Sequence, residues 1–336
     1  MSMECNNCGS KNHEWLWKNL EKQSARHSTQ PVDVLICRDC GLVFLDTSKT
    51  TPTQLEAYYT TSNTFEVPGP LPQGHRAMRE GQIDWVFSHL PADASVRTAL
   101  DVGCGAGFNC HLLKQRGLEV MGFDYSPAMI RNLKDLYGID GMQGSFSAAR
   151  ISRSVDLVIS TLVLEHMLDP TQVLKDMHQV ISEGGFLFLE VPDTEFARWD
   201  MIVDHIAFDH LWHWSERTLG NMLERNGFEV LAAQHVMNPP DSGNPEAGLR
   251  VLACRRAGIF ERRYALNGYA PQKEALLKYK EQHNKFLQTF QSQIDRIVSV
   301  VGKEPIAIFC GGEHTATLLQ RFNLSLLDVR TIFDND

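Results

Sequence analysis

Residues 98–109 read TALDVGCGAGFN, and this stretch decides the fold of the central part of the chain. The apolar run at 98–102 is typical of a buried strand, and glycines follow it at Gly103, Gly105 and Gly107. Such glycines let the backbone turn sharply and approach a ligand at the start of a helix, where N–H groups are unpaired. Strand and helix patterns alternate from about residue 75, which predicts an α/β fold with a parallel sheet covered by helices.

A second predicted strand, residues 119–124, ends in the carboxylate of Asp124. An acid about 20 residues beyond a glycine loop is well placed to accept hydrogen bonds from a ribose diol. NAD and S-adenosylmethionine both carry that diol. Asp101 lies directly before the loop, where its charge disfavours a pyrophosphate. An NAD-linked enzyme is therefore the weaker alternative, and a cofactor with a zwitterionic methionine tail is favoured.

Four segments in order carry a family resemblance: LDVGCGAGFN, GFDYSPAMI, SVDLVISTLVLEHMLDP and ISEGGFLFLEVPD. They are similar to the successive motifs of class I S-adenosylmethionine-dependent methyltransferases. The resemblance implies a Rossmann-like α/β sheet, with the glycine loop around the methionine part of S-adenosyl-L-methionine, an acid on the ribose and the next loop beside the adenine. The cofactor-binding residues that it implies are Asp101, Gly103, Cys104, Gly105, Gly107, Asp124, Tyr125, Ser145, Phe146 and Leu162.

Histidines cluster in residues 204–215, DHIAFDHLWHWS, which follow the last of these motifs. Histidine is the usual general base near neutral pH, and methyl transfer to carbon or oxygen commonly needs a proton removed from the acceptor. The segment is similar to the H-x-x-x-F-S stretch of zinc-containing sugar C-methyltransferases, and this resemblance implies that His210 is the base. Those enzymes carry a tyrosine where this chain has Ala207.

His213 and His166 are the candidate helpers of this base. Two structural alternatives stay open, because the histidines, His205 included, could simply fill an aromatic lid and Glu165-His166 could cap a helix. A zinc site formed by the three histidines of the cluster is a weaker alternative, since no carboxylate or thiolate completes a familiar spacing.

The N-terminal cysteines form two C-x-x-C-G motifs, which contain Cys5, Cys8, Cys37 and Cys40. Two thiolates on one tight turn can bind the same ion, and a second such turn completes a tetrahedron. The spacing predicts a zinc ribbon with structural Zn²⁺, because four sulfurs leave no open coordination position. The other cysteines, which lack ligand spacing, are predicted to pack: Cys104, Cys110, Cys254 and Cys310.

Tyr58-Tyr59 follows the ribbon and resembles the aromatic pair that leads into the fold in many methyltransferases. Tyr59 is expected to close over the cofactor, or else to pack the ribbon against the central domain. The predicted units are a zinc ribbon at 1–50, a linker or lid at 51–74, a methyltransferase domain at 75–258, a helical linker at 259–303 and a partial, shortened α/β unit at 304–336.

Composition limits the function classes. The net charge of −9 makes nucleic acid an unlikely partner, because such surfaces are usually basic. A cytoplasmic, non-membrane protein is expected, since the chain has no secretory signal and no run of about 18 apolar residues. The expected partner is a small-molecule substrate, such as a nucleotide-linked sugar or a natural-product intermediate. The alternative is a scaffold in which the ribbon binds a macromolecule and the methyltransferase fold is not catalytic.

Overall fold

The computed structural model describes residues 4–20, 32–61, 73–195, 206, 209–238, 246–258, 260–309 and 327–333. Strands and helices alternate through its central part, as the glycine-rich stretch and the sequence around it predict. The strands are β1 (His13–Leu20), β2 (Val32–Cys37), β3 (Val43–Leu45), β4 (Thr98–Val102), β5 (Glu119–Asp124), β6 (Gly141–Gln143), β7 (Val155–Thr161), β8 (Ile181–Pro192), β9 (Trp212–His213), β10 (Phe228–Asn238), β11 (Glu246–Arg255), β12 (Pro305–Phe309) and β13 (Asp328–Phe333). The helices are α1 (Pro52–Thr61), α2 (Gln73–His89), α3 (Phe108–Gln115), α4 (Pro127–Tyr137), α5 (Pro170–Val180), α6 (Glu216–Arg225) and α7 (Tyr269–Val301).

A seven-stranded mixed sheet forms the centre of the molecule, with the strand order β10-β11-β8-β7-β4-β5-β6. Strand β4 runs parallel to β5 and β7, and β8 runs parallel to β7. An antiparallel hairpin closes the sheet, since β10 and β11 pair antiparallel and β11 pairs antiparallel with β8. The carboxyl ends of the parallel strands therefore meet at one edge, where open α/β sheets bind ligands.

Both faces of this sheet are buried. Successive side chains of a strand point to opposite faces, so each strand contributes to two cores. On β8, Leu187 and Leu189 belong to one core while Phe186 and Phe188 belong to the other. Helix α2 covers the second core with Ile83, Trp85 and Val86 among its buried residues. The first core continues without a break into the N-terminal module.

The N-terminal module is a small sheet of β1, β2 and β3, to which β9 is added as a fourth strand. Val43 pairs with His213 and Phe44 pairs with Trp212 in antiparallel register. Residues far along the chain thus complete the sheet of the first 50 residues. The predicted boundary between a ribbon and a separate methyltransferase domain is crossed by a shared sheet and a shared core.

Polar contacts also dock the module at the start of α5. The Asn6 side chain donates to Asp169 Oδ1 at 3.1 Å and accepts the Thr171 N–H at 2.9 Å. Asp169 is the N-cap of α5, with its carboxylate accepting from the Gln172 N–H at 2.9 Å. The module is therefore anchored on an element of the central domain.

The C-terminal part has the predicted long helix, α7, followed by β12 and β13, which pair in parallel. Phe309 and Phe333 are exposed on this two-stranded sheet. Cys310 and the glycine turn at 311–315 lie outside the described residues. Among the described helices, including the 33-residue α7, none combines the length and apolar character that crossing a membrane requires.

Candidate functional site

The glycine loop joins β4 to α3 at the carboxyl edge of the sheet and has the backbone that its sequence predicts. Gly103, Gly105 and Gly107 have φ values of 78°, 50° and 87°, which side chains rarely tolerate. A Cβ on Gly103 would lie 2.3 Å from Val163 Cγ2, so this loop abuts the segment after β7. A Cβ on Gly105 would meet no heavy atom within 4 Å. At Gly105 the loop therefore presents bare backbone to an open space.

Asp124 ends β5 beside this loop. Its carboxylate accepts the Gly105 N–H at 2.8 Å and the Ser126 N–H at 2.9 Å. Burial raises the pKa of Asp124, and these two N–H groups oppose the rise. An ionised carboxylate has about four acceptor positions, so two positions remain for hydroxyl donors.

Two buried side-chain oxygen atoms on either side of the glycine loop have no hydrogen-bond partner among the described residues: Asp101 Oδ1 in β4 and Asn109 Oδ1 in α3. The Asp101 side chain is 1% exposed, and burial raises its pKa to about 7 although the positive charge of Arg79 opposes this. Buried acceptors without donors are costly in a folded protein. Both oxygens are therefore suited to a ligand that donates hydrogen bonds.

Arg79 of α2 was not predicted from the sequence. Its guanidinium donates to Thr161 Oγ1 at 2.7 Å, and Asn109 Nδ2 donates to the same oxygen at 3.4 Å. A cation thus lies beside the Asp101 and Asn109 acceptors at one end of the glycine loop. A polar residue on the apolar face of α2 was the available signal, but its partners come from other elements.

The residues predicted around the adenine lie beyond Asp124. Tyr125 Oη lies 2.8 Å from Ser145 Oγ, and the buried Phe146 ring meets Phe123 edge to face at 5.6 Å. Arg150 donates to the Ser145 carbonyl at 3.0 Å and so holds this loop.

Two further residues predicted at the cofactor site are Leu162, which has a strained backbone, and Cys104, whose thiol is buried. Leu162 has a φ of 58°, alone among the described non-glycine residues in the left-handed region, and its N–H donates to the Glu190 carbonyl at 2.7 Å. Such strain concentrates at functional sites. Cys104 is buried against Gly122, where an added Cβ would lie 2.7 Å from the Cys104 sulfur. Its backbone belongs to the loop, while its thiol packs inward.

A row of rings brings together four residues that the sequence singled out separately. Tyr125 stacks on Tyr59 at 6.2 Å, Tyr59 meets His166 edge to face at 5.7 Å, and His166 meets His210 at 4.8 Å. The row runs from the residue after Asp124 to the histidine segment. Tyr59 therefore lies between Tyr125 and the two imidazoles.

The backbone of Asp209 holds the His166 ring. His166 Nδ1 lies 2.8 Å from the Asp209 carbonyl oxygen, which only accepts, so Nδ1 carries the proton. The Tyr58 hydroxyl donates to the buried Asp209 carboxylate at 3.5 Å. His166 lies in a single 3-10 turn, Leu164–His166, rather than at a helix cap.

Glu165 is a buried acid in the same turn. Its side chain is 1% exposed, and its Oε2 has no hydrogen-bond partner among the described residues. Burial, followed by the nearby charges of Asp209 and Glu190, raises the pKa of Glu165 to about 8. Ligand atoms of Glu165, His166 and His210 lie within 4.8 Å of one another, a spacing that could also hold a metal ion.

His213 does not join His166 and His210. It is 5% exposed in β9, where its backbone pairs with Val43 of the N-terminal module. His205 lies outside the described residues. The structure thus brings together two of the three predicted catalytic histidines.

The four N-terminal cysteines converge as predicted. Sulfur atoms are 3.5 Å apart in the Cys5–Cys40 and Cys8–Cys37 pairs, and all four lie within 4.8 Å of one another. Four sulfurs at about 2.3 Å from one tetrahedral ion are about 3.8 Å apart. In both turns the glycine after the second cysteine donates its N–H to the carbonyl of the first, at 2.7 and 2.9 Å. The donor set and its geometry fit zinc.

A second cluster of charged side chains was missed by the sequence. His235 Nδ1 lies 2.5 Å from Asp193 Oδ2, and His235 Nε2 lies 3.1 Å from Glu216 Oε2. The Tyr264 hydroxyl donates to the same Glu216 carboxylate at 2.9 Å. These residues come from four separate elements or loops, so no local pattern marks them.

Comparisons with known proteins agree with this architecture. Residues 75–233 match the family model described as a methyltransferase domain. A probable S-adenosylmethionine-dependent methyltransferase of Mycolicibacterium smegmatis is 27% identical over 175 residues, which is 52% of this chain and 65% of that protein. The ubiquinone biosynthesis O-methyltransferase of Pseudomonas paraeruginosa is 30% identical over 115 residues, which is 32% of this chain and 49% of that protein.

The chain spans about half to two thirds of the length of these curated relatives. Among solved structures, magnesium protoporphyrin IX methyltransferase from Synechocystis with bound S-adenosylhomocysteine has a TM-score of 0.46 and 16% identity, over 61% of this chain and 100% of that chain. Residues 75–233 are thus similar to a methyltransferase domain, and the named relatives support an enzyme of the S-adenosylmethionine-dependent class.

Replacing Glu165 with Gln should remove a loss of stability at high pH. The folded pKa of about 8 exceeds the unfolded value, so the folded chain binds more protons here and its stability falls as pH rises toward 8. In urea unfolding, we expect the Glu165→Gln variant to gain on the unsubstituted chain by on the order of 1 kcal/mol per pH unit between about pH 5 and 8. Glu183→Gln, at an exposed position, should show no such trend. A pH-independent difference for Glu165→Gln would contradict the assignment.

Proposed function

We propose that this protein transfers the methyl group of S-adenosyl-L-methionine to a carbon or oxygen atom of a small metabolite. The observation that carries the proposal is the set of buried acceptors, Asp101 Oδ1 and Asn109 Oδ1, beside a glycine loop whose backbone faces open space. An ammonium group donates charge-assisted hydrogen bonds, which such oxygens can accept.

The proposed contacts of the cofactor follow its chemistry from end to end. Asp101 and Asn109 would accept from the amino group of the methionine part, and the Arg79 guanidinium would bind its carboxylate. The glycine loop would pass beneath this part, with the backbone of Cys104 included. Asp124 would accept both ribose hydroxyls, and the residues proposed to enclose the adenosine are Tyr125, Ser145, Phe146, Leu162 and Tyr59.

When bound, this cofactor supplies an electrophilic methyl group on a sulfonium. The protein's part is to align an acceptor with that methyl and to exclude water, which lowers the entropic cost of a two-substrate reaction. We propose that His210 takes the proton of the acceptor. His166, whose own proton lies on Nδ1, would orient the same acceptor, and His213 would act only through the position of its strand.

The acceptor is proposed to be a small hydroxylated or carbonyl compound, of which a nucleotide-linked sugar is one class. The likeness of residues 210–215 to the sugar C-methyltransferase stretch supports carbon as the acceptor atom. The ubiquinone-related relative is named as an O-methyltransferase, which supports oxygen. Ala207 departs from the tyrosine of the sugar enzymes, so both acceptor classes belong in the test.

The N-terminal module is proposed to hold one structural Zn²⁺ through Cys5, Cys8, Cys37 and Cys40. The bound ion would then contribute folding free energy to a small module. The alternative function, a non-catalytic scaffold that binds cofactor and recruits a macromolecule through the ribbon, predicts cofactor binding without turnover. Thermal-shift measurements with S-adenosylmethionine, S-adenosylhomocysteine and NAD, followed by methyl-transfer assays, separate these functions.

Replacing Asp124 with Asn should weaken cofactor binding. The loss of a charged acceptor for two hydroxyls should raise the dissociation constant for S-adenosylhomocysteine about 10- to 100-fold. Titration calorimetry measures this change, and Asp140→Asn is the matched control because Asp140 is an exposed acid paired with Lys134. Equal affinity in both variants would count against the proposed pose.

Replacing His210 with Asn should lower turnover while cofactor affinity stays nearly constant. Loss of a general base commonly costs about 100-fold or more in rate. Transfer of labelled methyl to a panel of nucleotide sugars and phenols gives the turnover, and His89→Asn, at an exposed position on α2, is the control. Unchanged turnover in His210→Asn would remove the proposed base.

Replacing Cys37 with Ser should abolish zinc binding. The proposed ion needs all four thiolates, so the zinc content measured by elemental analysis should fall from one per chain to near zero, and the melting temperature should fall with it. Cys254→Ser, in which the altered thiol is also buried but distant in the chain from the four, should keep its zinc. Retention of zinc by Cys37→Ser would refute the four-cysteine site.

A further inference from the structure

The segment that carries His210 is held between two parts of the molecule. On one side, the Leu45 N–H donates to the Leu211 carbonyl at 2.9 Å, and β3 pairs with β9. On the other side, the Leu211 N–H donates to the Glu165 carbonyl at 2.8 Å. Leu211 directly follows His210, and Glu165 directly precedes His166. The N-terminal module and the turn of His166 are therefore both hydrogen-bonded to the backbone of the same residue, Leu211.

Two aromatic side chains reinforce these contacts. Phe44 of β3 is fully buried and stacks on Trp212 with ring centroids 5.8 Å apart and an interplanar angle of 29°. The Trp212 Nε1–H donates to the Met167 carbonyl at 2.6 Å. One indole ring thus contacts the N-terminal module with its face and the His166 turn with its edge. Displacement of Phe44 would move both histidine-bearing segments.

Strand β9, which pairs with β3 of the module, is very short. Strand β9 contains two residues, and an isolated strand of that length has no stability of its own. Its partner, β3, belongs to the sheet in which Cys37 ends β2 and Cys40 ends the following turn. Residues 211–213 therefore have a strand to pair with only when the N-terminal sheet is folded.

We propose that Phe44 is a positioning residue of the methyl-transfer site, and that the N-terminal module forms a wall that sets the separation of His210 and His166. This inference rests on the proposed function, because it assigns the module to the same site rather than to a separate partner. The module then acts on the acceptor side of the reaction only. Asp124 and the glycine loop lie on other elements, so cofactor binding should not depend on Phe44.

The test compares Phe44→Leu with Trp15→Leu. Both changes replace an aromatic residue of the N-terminal sheet by leucine, but Trp15 is 43% exposed on β1 and lies outside the β3–β9 pairing. The first readout is the imidazole nitrogen signals of His210 and His166 in ¹⁵N-histidine-labelled protein saturated with S-adenosylhomocysteine. We expect Phe44→Leu to move both signals and Trp15→Leu to move neither, with the zinc content and cofactor affinity of both variants unchanged.

Turnover supplies a second readout. For any acceptor of the panel that the unsubstituted chain methylates, Phe44→Leu should lower kcat about 10-fold or more, since small displacements of reacting groups have effects of this size. If the unsubstituted chain methylates none of them, the proposed function fails, while the histidine signals still decide the positioning role. Unmoved signals in Phe44→Leu would overturn the inference.

Trp212→Phe covers the case in which Phe44→Leu loses its zinc and its fold. The phenylalanine retains a ring for the stack and removes only the N–H donor to the Met167 carbonyl. We expect this variant to keep its zinc and its His166 signal to shift. A zinc-loaded Trp212→Phe protein with unmoved histidine signals would overturn it.

Discussion

The contact between Gly103 and Val163 is the constraint on which the site depends. Their loops follow β4 and β7, adjacent parallel strands, and no side chain larger than hydrogen fits on Gly103 in this approach. The close packing holds the two loops side by side at the carboxyl edge. It also brings the turn that contains Glu165 and His166 to the edge where the glycine loop exposes its backbone. A ligand held by that loop is therefore held within reach of residues from the segment after β7.

The N-terminal module is structurally part of the segment that carries the histidines. An N-terminal module tethered only through its linker would be a separate unit, but here β9 completes the module's sheet and Phe44 lies in the core that runs through the central domain. Strand pairing supplies hydrogen bonds that a two-residue segment could not otherwise form. The histidine segment thus owes its shape to a module that is more than 150 residues away in the chain, between Phe44 and Trp212.

The sequence predicted those parts of the site whose residues are close together in the chain. The glycine loop, the acid at the end of β5 and the paired cysteines each follow from local backbone chemistry, and the long helix α7 follows from its apolar period. Arg79, Asn109 and Glu165 were not given roles, because their importance comes from burial and from partners on other elements. The addition of β9 to the N-terminal sheet was also beyond local reasoning, since a strand of two residues, Trp212 and His213, shows no strand period.

The buried acids give the cleft an electrostatic character that its overall negative charge does not reveal. Burial raises the pKa of Asp101 to about 7 and that of Glu165 to about 8, so at neutral pH much of this carboxyl population is uncharged. A cationic ligand bound nearby would favour the ionised forms and lower both pKa values. Binding of a positively charged cofactor and release of protons from the cleft would then be linked, and the negative charge created would attract that cofactor. The demethylated product would keep the ammonium group but lose the sulfonium charge, so its attraction to these acids would be weaker, which favours exchange of spent for fresh cofactor.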